Sequence, residues 1–239
     1  MSVNTPQQIV LDVDLPDEQT FDTLVEGENT LVVAHCQSLL LSPNSENTPF
    51  VTYISGASAS GKSHLLVAMC HQAAERQLSH FYLCLSESSP YPADMLNSME
   101  NLDLLCIDNI HLLESLPDWQ RALFDLINRI NETQGCKLVV SANQGPLSLN
   151  FDLADLKSRL SWGVSFNLVP LGEKEAEHAL EVKARHRGLV IAPESLSYLV
   201  THSRRDMHSL TQSLEVLQQK SLQQKRKISI PFIKQTFDF

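Results

Sequence analysis

Eight consecutive residues, Gly56-Ala57-Ser58-Ala59-Ser60-Gly61-Lys62-Ser63, match the pattern G-x-x-x-x-G-K-[ST] in full. Its two fixed glycines let the chain fold back, so that successive backbone N–H groups point inward at a di- or triphosphate. Lys62 would bring a point charge to the β- and γ-phosphates, and the Ser63 hydroxyl would take one place on Mg²⁺. With glycine at about 7% of average usage, four specified positions coincide by chance in only roughly 1% of chains this long. A second group lies downstream in Leu104-Leu-Cys-Ile-Asp108, four apolar residues and then an acid. A phosphate loop needs a carboxylate at the end of a neighbouring buried strand to hold the metal's water shell, and Asp108 suits that place. An aspartate that only caps a helix after a core strand would read the same way. Asn109 follows, where many ATPases place a second acid to polarise the attacking water. An amide orients water but cannot accept its proton, so slow or absent intrinsic hydrolysis is expected.

Three further residues are candidates by position. Asn143 comes just after the strand pattern Val139-Val-Ser141, where a polar side chain reaches a γ-phosphate or its water; an asparagine in a turn is the plain alternative. Arg159 lies in Ser158-Arg-Leu-Ser-Trp-Gly163, and such an arginine taken alone reads as a surface ion pair. Arg205, at the start of a helical pattern, could fold over phosphates or stand as a solvated helix-terminal charge.

These groups need a scaffold, and from residue 50 onward the chain alternates strand and helix patterns. Phe50–Ile54, His80–Leu85, Leu102–Ile107, Lys137–Ser141 and Ser165–Val169 read as strands. Helices are expected from Lys62 to about Arg76, briefly around Asp94–Asn101, from Pro117 with Gly135 beyond its end, and at about Asp152–Leu160. This order implies an α/β fold, a P-loop module with a five-stranded parallel sheet flanked by helices. From Glu173 to Phe239 only helical patterns remain, so a small all-helical lid follows. The expected organisation is a tail over 1–14, a nucleotide-binding domain over 15–170 and a lid over 171–239.

Composition narrows the classes. A formal net charge of −10 argues against broad attraction to nucleic acid or anionic membrane. Five scattered cysteines form no C-x-x-C pair and number an odd total, the usage of reduced intracellular thiols. Cys70, Cys84 and Cys106 sit in apolar runs and read as core fillers. No charged segment precedes an apolar run at the N-terminus, and no apolar stretch approaches the roughly 20 residues of a membrane helix. A cytoplasmic protein is expected.

Together the motifs resemble the AAA+ ATPases of the DnaA family of replication initiators. Thr20-Phe21-Asp22, Val25, Gly27 and Asn29 precede the phosphate loop as in that family. Asp108, Asn143, Ser158-Arg159-Leu160-Ser161-Trp162-Gly163 and Arg205 then follow in the expected order. The resemblance covers about residues 15–239. It implies that Asp108 closes the Walker B strand, that Asn143 is sensor 1, that Arg205 is sensor 2, and that Phe21 and Val25 flank the base. The loop from Gly56 through His64 would hold ADP or ATP with Mg²⁺. Arg159 would be an arginine finger acting on a neighbour's nucleotide, an effect worth about 10³–10⁵ in rate.

Three features are similar to a regulatory branch of that family. The sequence reaches Phe239 soon after the lid pattern, with no helix-turn-helix segment of the initiator type. Asn109 is shared with that branch. Gln8-Ile9-Val10-Leu11-Asp12-Val13 resembles a sliding-clamp-binding peptide, in which a glutamine hydrogen-bonds the clamp and aliphatic anchors fill an apolar pocket. Ile9 and Val13 depart from the commoner leucine or phenylalanine. The resemblance implies docking on the DNA-loaded clamp, the β subunit of DNA polymerase III, and contact with DnaA–ATP. A homodimer or a mixed assembly through AAA+ faces would follow, with DNA contact indirect or weak. A helicase loader that binds DNA directly is one competing reading, for which only Lys225-Arg-Lys227 and Arg204-Arg205 offer basic surface. A small-molecule P-loop kinase is the other, and would want an acceptor-site base and an arginine-rich lid.

Overall fold

The computed structural model describes residues 15–41, 49–86, 91–204 and 206–237. The Gln8–Val13 peptide and Arg205 lie outside the described residues. After a segment with two short 3-10 turns, Phe21–Thr23 and Gly27–Asn29, helix α1 (Thr30–Leu41) leads to strand β1 (Val51–Gly56). Helix α2 (Lys62–Glu75), β2 (His80–Cys84), β3 (Leu104–Asp108), α3 (Pro117–Thr133), β4 (Lys137–Ala142), α4 (Ala154–Leu160) and β5 (Val164–Leu168) follow. The strands form one parallel sheet in the order β2-β3-β4-β1-β5. Because all run the same way, the residues leaving β1, β3 and β4 emerge at one edge, where ligands of open α/β sheets bind.

Alternation along the strands divides the core into two layers. Leu105 and Ile107 of β3, with Leu138 and Val140 of β4, pack under α3 and α4. Leu104 and Cys106, with Ile54 and Val139, pack under α1 and α2. Helix α3 buries the spaced set Trp119, Leu123, Leu126, Ile127 and Ile130, as its 3.6-residue period dictates. Its left-handed closing residue is Gln134, with φ 55°, one place before the glycine that the sequence offered for a stop. Gly163 has a different duty. A Cβ there would stand 1.7 Å from the carbonyl oxygen of Val51, so β5 approaches β1 only because this residue has no side chain.

Several expectations change. Residues 30–41 carried no expected element, yet they form α1. Its buried set is Val32, Val33, Cys36, Leu39 and Leu40, but Leu31 and Leu41 are 74% and 63% exposed. Leucines on both faces blur the one-sided pattern that marks a surface helix. The short helix expected around Asp94–Asn101 is two 3-10 turns, Ala93–Leu96 and Met99–Asn101. Cys70 and Cys106 are buried, whereas Cys84 is exposed, because it ends β2 at the sheet's edge.

Four helices complete the chain: α5 (Glu173–His186), α6 (Pro193–His202), α7 (Met207–Gln224) and α8 (Ile230–Phe237). They share a core of their own around Leu180, Leu199, Leu210, Leu214, Phe232 and Ile233. The Asp206 side chain caps α7 by accepting from the Ser209 N–H at 2.8 Å. Among the described residues no helix is long and apolar enough to cross a membrane.

Candidate functional site

The loop between β1 and α2 takes its curve from backbone that most residues avoid. Ala59 has φ 59° and Gly61 φ 96°. Within that curve Lys62 Nζ donates to the carbonyls of Gly56 (2.8 Å) and Ala57 (2.7 Å), and the lysine is 8% exposed. Burial draws its pKa below the usual lysine value, while the charge of Asp108 opposes that shift. Ser63 stands exposed in the first turn of α2, and its neighbour His64 is half-buried. The His64 Nε2 lies 3.0 Å from the Thr20 carbonyl and 3.3 Å from the Thr23 hydroxyl, tying segment 15–29 to α2. Burial pushes the pKa of His64 down to about 4, so its ring is neutral at pH 7.

At the end of β3, Asp108 is fully buried. Tyr82 of β2 donates to one carboxylate oxygen at 3.0 Å, and the Ser141 hydroxyl of β4 donates to the other. Sheet register sets both contacts, since Cys84 pairs with Asp108 and Ile107 with Val140. Burial, then the adjacent Asp108 charge, holds the Tyr82 phenol far above its usual pKa, so it acts as a fixed donor. Ser141 also accepts from the Asn109 N–H at 3.2 Å. Asn109 itself sits in left-handed backbone, φ 63°, with its amide 3.5 Å from the Leu85 carbonyl.

A cavity of about 540 Å³ joins these parts. It is lined by Ser58–Leu65, Asn109, His111 and Asn143 from the sheet edge, by segment 18–29 including Val25, and by lid residues such as Lys183, Met207 and Thr211. The structure thus brings Lys62, Ser63, His64, Val25 and Asn143 together, with Asp108 directly behind. Phe21 is not among the cavity walls, because it packs into the layer beneath α1 and α2. Arg159 also lies away from the cavity. It donates through Nε to Asn128 at 2.8 Å and stacks on Trp162, its carbon 3.7 Å from the ring centroid. Its two terminal nitrogens make no hydrogen bond among the described residues.

Two groups escaped the sequence reading. His111 lines the cavity with Nδ1 buried and without a hydrogen-bond partner among the described residues. Lys183 comes from the lid, more than 100 residues from the phosphate loop in sequence, and no short motif announces it.

A phosphate loop at the sheet's carboxyl edge, an acid closing β3 one strand removed from β1, and a helical lid over the cleft define an AAA+ nucleotide-binding protein. Residues 15–167 match the bacterial DnaA ATPase domain, and the chain belongs to that family. Residues 173–237 match the Hda lid domain. Among solved structures, domain III of the Thermotoga maritima replication initiation protein DnaA superposes with a TM-score of 0.80 at 19% identity, covering 94% of this chain and 97% of that one. The AMPPCP-bound DnaA of Aquifex aeolicus gives 0.70 at 20% identity, over 88% and 68%. The Thermotoga maritima RuvB Holliday junction branch migration motor gives 0.69 at 18%, over 94% and 72%, a likeness in fold.

Proposed function

We propose that this protein is a nucleotide-bound regulator of an initiator of its own family, acting as Hda-like proteins do. It docks on the DNA-loaded sliding clamp through Gln8–Val13. It then presents Arg159 to ATP held by DnaA, and hydrolysis of that ATP prevents re-initiation of replication. The observation that carries this reading is the position of Arg159. The guanidinium is held at the surface by Asn128 and Trp162, outside its own cavity and with two nitrogens to spare. An arginine committed to its own nucleotide would line that cavity.

In its own site, Gly56 to Ser63 and the start of α2 hold the diphosphate of ADP or ATP, with Lys62 turning from the loop carbonyls to the phosphates. A Mg²⁺ ion suits the donors present: the exposed Ser63 hydroxyl, and through water Asp108. That carboxylate has about four lone-pair sites, of which Tyr82 and Ser141 use two. When bound, the ion neutralises phosphate charge. Asn143 orients water near the terminal phosphate, Val25 and the lid enclose the nucleoside, and Arg205 reaches the phosphates from the lid. Asn109 supplies no base, so the protein's own turnover is slow.

The test is hydrolysis of ATP by purified DnaA with DNA-loaded clamp, comparing the wild type with Arg159→Ala and Gln8→Ala. Both variants should lose the stimulation. Arg159→Ala should keep its clamp affinity and its nucleotide, whereas Gln8→Ala should lose the clamp. Full stimulation by Arg159→Ala would end this reading.

A further inference from the structure

The cavity walls are of two kinds. Residues 58–64 bring backbone N–H groups and Lys62, which suit phosphates. Leu24, Val25, Val33, Ala179 and Met207 add apolar wall, which suits a flat, largely apolar ring system. A charged residue stands beside the apolar set. Lys183 follows Ala179 by one helical step on α5, so both face the cavity, and Arg187 continues the same stripe.

The arrangement around Lys183 leaves its ammonium in a long ion pair with Glu18 and without a hydrogen bond among the described residues. Arg187 takes both oxygens of Glu18, Nε at 2.6 Å and a terminal nitrogen at 2.6 Å. Lys183 Nζ is left 4.0 Å from the nearer Glu18 oxygen, beyond hydrogen-bond reach, with its side chain only 8% exposed. No acceptor among the described residues completes it. An ammonium carries three N–H donors, and burying one without partners is costly. A ligand acceptor placed here removes that cost. Burial also lowers the Lys183 pKa, and the Glu18 charge restores part of it. The same ammonium helps to lower the pKa of His64, so it stands near the residue just past the phosphate loop.

Given the reading that this cavity holds a nucleotide, we propose that Lys183 contacts its nucleoside: the ammonium donates to an acceptor on the base or sugar. Glu18, pinned by Arg187, fixes the direction in which that amine points. Lys183 is therefore a second cation for the ligand, separate from Lys62 in both element and target.

The experiment is titration calorimetry of the full chain with ADP, 2′,3′-dideoxy-ADP and inorganic pyrophosphate, for wild type and Lys183→Met. The variant should bind ADP about tenfold more weakly, the scale of a hydrogen bond to a charged group. Its pyrophosphate affinity should stay within about twofold of wild type. If the loss persists with the dideoxy ligand, the acceptor is on the base; if it vanishes, the acceptor is a sugar hydroxyl, and either result supports the contact. Equal losses for ADP and pyrophosphate would reassign Lys183 to the phosphates and overturn the proposal, as would no loss at all. A wild type that binds none of the three ligands would defeat the nucleotide reading instead. An amine-labelling experiment on the wild type needs no variant: ADP should shield Lys183 from acetylation, and pyrophosphate should not. Shielding by both, or by neither, would again overturn it.

Discussion

Asn109 sits one residue beyond a buried acid, its backbone bent into the left-handed region and its side chain turned toward Leu85. A carboxylate at this position could not share the Leu85 carbonyl, since both would be acceptors, and it would swing toward the cavity that position 109 already lines. Asn109→Asp should therefore raise steady-state ATP turnover by about 100-fold, the low end of general-base catalysis. Phosphate release by the purified variant checks this, and unchanged turnover would mean that water activation is not what limits the site. The positions that frame the cavity were largely legible in the sequence. The phosphate loop, Asp108, Asn109 and Asn143 announced themselves because each is tied to a short pattern or a strand end. Lys183 and His111 did not, since a lysine on a lid helix and a histidine in a 3-10 turn acquire meaning only from what the fold places opposite them. Phe21 differs from its neighbours Thr23, Leu24 and Val25, which line the cavity, since it packs against the core beneath α1 and α2.

Among the elements, β5 depends on the close approach at Gly163. Gly163→Ala would drive a methyl group into the Val51 carbonyl at 1.7 Å, a contact that only strand separation relieves. The expected cost is about 3 kcal/mol or more, the range of severe overpacking, read as a fall in thermal midpoint. Since β5 borders β1 along Thr52–Gly56, nucleotide affinity should fall with it. The central strands β1, β3 and β4 were readable because parallel strands buried on both faces are near-continuous apolar runs. Helix α1 was not, as Leu31 and Leu41 face solvent and hide its buried stripe. Helix α3 closes before Gly135 as expected, but it is Gln134 that takes the left-handed conformation the following glycine would have taken at less strain.

Across the whole molecule, segment 15–29 is the piece shared by both halves. Its Glu18 binds Arg187 of the lid side, and Arg187 in turn meets Glu215 at 3.1 Å, while His64 holds the same segment to α2. The hydrogen bonds from Arg187 keep the Glu18 carboxyl below its ordinary value of 4.5. A carboxylate whose folded pKa is depressed adds stability that is whole above the unfolded value and is lost as pH falls through the folded one. Acidifying the protein below about pH 4.5 should thus loosen the lid before the sheet, a loss that Glu18→Gln has already taken at neutral pH. Chemical denaturation of both forms between pH 7 and pH 3 should show their stabilities converging toward the acid end. Parallel curves would show that this ion pair contributes nothing. No part of this joint was visible in the sequence, because Glu18 and Arg187 stand 169 residues apart.

The guanidinium of Arg159 rests 3.7 Å from the centre of the Trp162 indole, and that indole is 44% exposed. Its counterpart Trp119 is enclosed within the sheet layer and meets no such cation among the described residues. The chain thus carries its own light source beside the arginine to which the proposed regulatory role is assigned. Any assembly that draws the guanidinium off the ring must alter the emission of one tryptophan and spare the other, so engagement can be followed optically before a single phosphate is freed.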